Sequence, residues 1–196
     1  MRKQHHLSIV IPVPGNLPPG AVIATIQTYT PLIRHHTTLI SFDEVSTGPD
    51  AIADDPFFGP WDESVRAFRL RELITLAPGL NREITYQTIF QDVPEGVRSR
   101  ATAPAGIVVR AEFAVRQRRA ATMPISPAGS DSTASGSTAT VEGDEYELRE
   151  DIVVEANSLL MPFITEALAT VHREICEKVM AEIVKNYFGT GDAMVF

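Results

Sequence analysis

The residue pattern points to an α+β domain in which a curved antiparallel sheet of about six to seven strands wraps around one long C-terminal helix. Two features lead to that expectation. First, Tyr146 to Ala156 alternates as a strand and runs into a helix over about 158–187, where Leu160, Ile164, Leu168, Val171, Ile175, Val179 and Ile183 share one stripe. At ~1.5 Å per residue this helix would be about 40 Å long and needs cover along its stripe. Second, the segments upstream have period two and are joined by short Pro/Gly turns, so neighbouring strands must run antiparallel.

From the N-terminus, Leu7, Ile9, Ile11 and Val13 form the first strand, with Val10 breaking the alternation. Leu17-Pro18-Pro19-Gly20 then opens a short helix with Val22, Ile23 and Ile26 on its apolar face, and Pro31 divides it from a second one ending near His36. Thr37 to Ser46 reads as the second strand, with Leu39 and Phe42 on opposite faces. The loop from Thr47 to Glu63 holds Phe57, Phe58 and Trp61, which are costly to leave in water and are expected to form a lid or close one end of the core.

From Ser64 onward the pattern is strand. Phe68, Leu70, Ile74 and Leu76 share a face; Ala77-Pro78-Gly79 turns; Ile84, Tyr86, Thr88 and Phe90 share the next. Asp92 to Gly96 and Ala103 to Gly106 are further turns, and Ile107, Val109, Ala111, Phe113 and Val115 point inward on the strand that follows. Residues 119–143 are rich in Ser, Thr, Ala and Gly without periodicity and read as a mobile insertion. The chain is expected to be one domain, 1–196, with this insertion and a short flexible tail at 188–196.

A chain of 196 residues with 44% apolar content can build a substantial core. Its net charge of −8 disfavours nucleic acid and anionic membrane surfaces as partners. Cys176 is the only cysteine, so no internal disulfide forms, and a reducing, cytoplasmic setting fits. No segment has about 20 uninterrupted apolar residues for a membrane span.

This order is the helix-grip arrangement. Several runs in it resemble a fungal family known only as a domain of unknown function: Leu17-Pro18-Pro19-Gly20, Leu76-Ala77-Pro78-Gly79-Leu80, Phe90 to Gly96, Ala103 to Ile107 and Leu148-Arg149-Glu150-Asp151, followed by the helix with Phe163 and His172. That family in turn resembles the START and plant-allergen (SRPBCC, polyketide cyclase-like) superfamily. Membership implies a hydrophobic pocket between sheet and helix, used for lipid or hormone binding or for cyclisation chemistry. The matching runs are turns and strand starts, so no catalytic residue is carried over.

Candidate chemistry comes from the residues themselves. Glu72 shares the inward face of Phe68 and Leu70, and Glu150 that of Tyr146, Leu148 and Ile152; an unpaired inward carboxylate is expensive. Either each pairs with a buried Arg, such as Arg66 for Glu72, or lies at a bulge that turns it to water, or the two act as acid and base or hydrogen-bond a substrate carbonyl or hydroxyl, with Tyr86 on the inward face of Ile84 and Phe90 as a further candidate. Trp61, Phe68, Leu70, Phe90, Phe113, Tyr146, Leu160, Phe163 and Ala167 are the expected walls.

The adjacent pairs His5-His6 and His35-His36 point to opposite faces and make poor chelators, so no metal is expected, and no cofactor. His172 is expected at the stripe's edge as a hydrogen-bonded side chain, and Cys176 as a buried hydrophobe. Arg98, Arg100, Arg110, Arg116, Arg118 and Arg119 should lie on the outer face among acids. The functional expectation is a small-molecule pocket protein of fungal secondary metabolism. It would be either a cofactor-free cyclase, isomerase or pericyclase (Diels–Alderase-like) acting on a polyketide or terpenoid, or a carrier with the same pocket. A filled core without a pocket would remove both.

Overall fold

The structure is a computed structural model that describes residues 1–77, 80–118 and 145–189, without side-chain detail at 75–77 and 80. The turn at 78–79, the segment 119–144 and Thr190-Gly191 with the rest of the tail lie outside the described residues. Seven strands, β1 (Arg2–Pro12), β2 (Leu39–Val45), β3 (Arg66–Ala77), β4 (Leu80–Val93), β5 (Gly96–Ala103), β6 (Ile107–Gln117) and β7 (Tyr146–Asn157), form one antiparallel sheet in the order β1-β7-β6-β5-β4-β3-β2. Two short helices, α1 (Pro19–Ile26) and α2 (Thr30–Arg34), follow β1, and α3 (Met161–Gly189) follows β7.

The expected architecture is the observed one. On the inner face Ile9, Ile11, Phe68, Leu70, Phe90, Val97, Phe113, Leu148 and Ile152 pack with Val22 and Ile26 of α1 and with Ile175, Cys176, Val179, Met180 and Ile183 of α3. The C-terminal half of the stripe read from the sequence, Ile175, Val179 and Ile183, is thus buried and widened by Cys176 and Met180, while Ile164, Leu168 and Val171 are half-buried and Leu160 is exposed just before α3 begins. Phe188 and Gly189, expected in the tail, are the last turn of α3.

The tight hairpin between β4 and β5 depends on one glycine. A Cβ on Gly96 would stand 1.9 Å from the Phe113 carbonyl oxygen, so only glycine lets β5 approach β6 there. Such a close approach is backbone against backbone and has no side chain to move aside.

Three readings are corrected. The register shifts between Leu39 and Ser41, so Leu39 and Phe42 both reach the main core, where simple alternation puts them on opposite faces. The loop from Thr47 to Glu63 is no lid over the inner face. Ile52 and Phe58 pack with Val65, Ala67 and Ile89 on the other side of the sheet, since Ala67 and Ile89 alternate with the inward Phe68 and Phe90. There the buried Asp55 is held by Arg100 at 2.8 Å and Arg110 at 3.0 Å, and Arg110 also binds Glu155 at 2.6 Å. Finally, Arg66 is exposed and pairs with Glu44, not with Glu72. The outer-face arginines are balanced by acids as expected, with Arg98 on Glu112 and Arg116 on Glu112 and Glu95; Arg119 lies outside the described residues.

Candidate functional site: two carboxylate–imidazole pairs

The inner face is sealed at one end and open at the other. At the sealed end Tyr29, between α1 and α2, stacks on Phe90 at 5.0 Å and meets Phe68 edge-on at 6.4 Å, while Phe68 and Phe90 lie 5.8 Å apart. The Tyr29 hydroxyl is 2.6 Å from the Ser64 carbonyl and 2.7 Å from Asp92 Oδ1, which anchors this plug. At the other end, Ile84, Tyr86, Ser99, Ala101 and Val109 point inward but are only half-buried, and so are Ile164, Leu168 and Val171 on the first half of α3. Small Ser99 and Ala101 face this half of the helix, and the inner face is less completely covered here than at the sealed end.

Six polar or ionisable side chains from five parts of the chain meet beside this less covered region. Glu72 on β3 is only 7% exposed; its Oε1 accepts from the Tyr86 hydroxyl of β4 at 2.8 Å and lies 2.9 Å from Nδ1 of His36, just after α2. Glu150 on β7 is fully buried, with Oε1 2.5 Å from His172 Nδ1 and Oε2 accepting from Cys176 Sγ at 3.3 Å. The His36 and His172 rings sit edge to face, 6.3 Å between centres. The two inward carboxylates read from the sequence thus each hold an imidazole, and the imidazoles face one another.

Electrostatics follow from this arrangement. Burial works against the Glu72 carboxylate, but the contacts from His36, Tyr86 and Thr38 prevail and hold it below the usual carboxylate range. Burial likewise works against a charged His172; Glu150 beside it, and Glu72 farther off, overcome this and raise it above the usual imidazole value. Burial next to Glu72 pushes the Tyr86 phenol well up, and burial next to Glu150 does the same to the Cys176 thiol. Cys176 is therefore a neutral hydrogen-bond donor, not a nucleophile.

Of the expected site residues, Glu72, Glu150 and Tyr86 come together as one cluster. Phe68, Leu70, Phe90 and Phe113 are closely packed in the core beyond it, and Leu160 lies in the turn that opens α3. Three expected walls lie elsewhere. Trp61 belongs to the outer-face loop, where the neighbouring Pro60 and Asp62 accept from the Gln91 side chain. Phe163 is 77% exposed and Ala167 is exposed too, because each is about 100° around the helix from the stripe residue that follows it.

Tyr146 borders a separate concavity of about 180 Å³ with Val13 and Pro14 to Pro19, at the sealed end. A second concavity, about 470 Å³, is a groove on β1 and β7 lined by His6, Ser8, Arg149, Asp151 and Val153. Neither lies at the polar cluster. Neither is therefore the enclosed pocket expected between sheet and helix: Tyr29 and its aromatic neighbours fill the sealed end, and half-buried side chains line the other.

His36 and His172 as a facing pair were not legible in the sequence. They are 136 positions apart, and only the docking of α2 against α3 brings them together. The one available signal was that two inward carboxylates demand partners, with His172 at the stripe's edge.

A curved antiparallel sheet gripping a long helix, with a polar cluster between them, defines the helix-grip class. Within it, the sequence profile described as "Domain of unknown function (DUF7053)" matches residues 2–185, and the chain belongs to that family. Solved structures of similar fold include the Zhui aromatase/cyclase from Streptomyces sp. R1128, at 12% identity and TM-score 0.55, over 96% of this chain and 99% of that one. The di-domain ARO/CYC StfQ of the steffimycin biosynthetic pathway aligns at 8% identity and TM-score 0.53, over 94% of this chain and 52% of that one. Ara h 8.0201 aligns at 6% identity and TM-score 0.50, over 91% and 99%. At these identities the likeness is one of fold. No curated protein matches the chain by sequence. Among the described residues no helix is long and apolar enough to cross a membrane.

Proposed function

We propose that a cleft between the inner sheet face and the first half of α3 binds a small hydrophobic molecule, and that the chain performs cofactor-free acid–base chemistry on it as a cyclase or isomerase. The observation that carries this is the pair of carboxylate–imidazole contacts, Glu72 with His36 and Glu150 with His172, facing each other between the sheet and α3. A carboxylate bound to one ring nitrogen fixes the tautomer and orientation of the ring and supports the imidazolium, which is the arrangement general acid–base catalysis needs. The apolar walls supply binding and orientation of a reactive conformer.

The fold is shared with polyketide aromatase/cyclases, which favours a polyketide or terpenoid intermediate of secondary metabolism, of the kind fungi make, as the occupant. Pericyclic chemistry in the same cleft would need only the walls and one hydrogen bond. A carrier is the second reading. It is favoured by the fact that, among the described residues, every buried side-chain nitrogen and oxygen already has a partner, so the cluster is satisfied without a substrate.

The experiment is to incubate the protein with a panel of polyketide and terpenoid intermediates and follow both binding and product ratios, for the wild type and for Glu72→Gln and Glu150→Gln. Turnover that falls in both variants while binding persists supports the enzyme. Binding with unchanged product ratios leaves the carrier, and absence of binding removes both readings.

A further inference from the structure

We infer that His36 and His172 are the two proton-transfer groups of a keto–enol step, and that the substrate is an enolisable ketone with an apolar body. This rests on the cleft reading above and specifies its chemistry.

Each imidazole turns Nδ1 to its own carboxylate, 2.9 Å for His36 and 2.5 Å for His172. Among the described residues neither Nε2 has a hydrogen-bond partner and no buried side-chain nitrogen lacks one, so both Nε2 atoms keep some contact with solvent. Two rings 6.3 Å apart and inclined at 68° cannot sandwich a planar molecule, which needs about 7 Å, twice a van der Waals contact. A substrate therefore lies across the ring edges, and the two Nε2 atoms serve two different atoms close together on it. A carbonyl oxygen and the C–H carbon beside it are such a pair.

The two rings are also unequal in their surroundings. Glu150 is wholly buried beside His172 and favours its protonated form, which makes that ring the donor to the carbonyl oxygen. Glu72 stays ionised, with Tyr86 and Thr38 as further donors, and can stabilise a proton arriving on His36.

In the forward step, the α C–H bond breaks and its proton goes to His36 Nε2. Its electron pair becomes the C=C bond of the enol while the carbonyl pair moves to oxygen, which takes the proton from His172 Nε2. For a β,γ-unsaturated ketone, His36 then returns its proton to the γ carbon and the enol O–H returns its proton to His172. The product is the conjugated ketone, both rings are restored, and no oxidant or reductant is consumed. His36 and His172 would touch the substrate and are the catalytic residues on this reading. Glu72, Glu150 and Tyr86 are positioning residues that act through them.

The test uses the full chain in D₂O with a bicyclic β,γ-unsaturated ketone. Binding is read by saturation-transfer NMR, and deuterium at the α carbon together with the conjugated product by proton NMR. The expected result is exchange at least about a hundredfold above buffer, with His36→Gln and His172→Gln each losing about a hundredfold or more. Arg71→Gln, which alters an exposed pair with Glu83, should leave the rate unchanged.

Should a histidine substitution unfold the chain, the wild type still decides. Diethyl pyrocarbonate should abolish exchange, with the ketone protecting His36 and His172 from modification as mapped by mass spectrometry. A ketone that binds but shows no exchange above buffer overturns the enolisation and leaves the pocket standing. Exchange retained in both folded variants, or after modification of both rings, overturns it as well. No binding at all overturns the pocket and the enolisation together.

Discussion

Glu150 Oε1 lies 2.5 Å from His172 Nδ1 at a position with no solvent access, and the same carboxylate accepts from Cys176 through its other oxygen. A buried charge of this kind is tolerated only because it is paired and hydrogen-bonded on both sides. Substituting Glu150 by Gln keeps the shape but removes the charge, leaving an imidazolium buried without its partner. Stability should fall by about 3 kcal/mol, and His172 should titrate at lower pH. Urea denaturation and NMR titration of the His172 ring check the two halves of this expectation.

The pH dependence of stability has a definite sign for each half of the cluster. His172 is raised above its usual 6.5, so its contribution is complete below about pH 6.5 and is lost as pH rises through the folded-state value. Glu72 is lowered from its usual 4.5, so its contribution is complete above about pH 4.5 and is lost as pH falls through the folded-state value. The stability difference between wild type and His172→Gln should therefore be flat between about pH 4.5 and about pH 6.5 and shrink above it, while that between wild type and Glu72→Gln should shrink below about pH 4.5. Urea midpoints measured from about pH 3 to about pH 9 give both curves. A His172 difference that grows in alkali would contradict the pairing.

Asp55 clamps the outer-face loop through Arg100 and Arg110. Asp55→Ala leaves two arginines without their shared carboxylate and should cost about 3 kcal/mol, with faster amide exchange over residues 51–58. Because this loop lies across the sheet from the cleft, ligand affinity should change less than about twofold, a change under about 0.5 kcal/mol. A large loss of affinity would mean that the loop does reach the ligand.

Gly96→Ala should be the most damaging glycine-to-alanine change among the described glycines. The added carbon meets the Phe113 carbonyl, and the strand must shift or the hairpin must open, at a cost of about 3 kcal/mol or more. Thermal unfolding and soluble yield measure it, with Gly20→Ala, whose added methyl meets nothing within 4 Å, as the control.

Much of this fold is written in local pattern. The α3 stripe and the inward faces of β1, β3, β4, β6 and β7 follow from periods of 3.6 and 2, and those periods arise from backbone geometry that residue order reveals directly. Glu72 and Glu150 could be recognised as inward carboxylates for the same reason. The bulge after Leu39 could not, because one extra residue in a strand leaves no compositional mark.

The destination of the Phe57–Phe58 loop was equally hidden. Apolar residues demand cover, but either face of the sheet can provide it, and the charge complementarity of Asp55 with Arg100 and Arg110 selected the outer one. Residue order alone called for a sheet, a long helix and two carboxylates in need of partners. That those partners are His36 and His172, and not arginines, was settled in three dimensions. Their meeting depends on α2 and α3 closing over a curved sheet, a long-range arrangement whose energy lies in packing and not in any local run of residues.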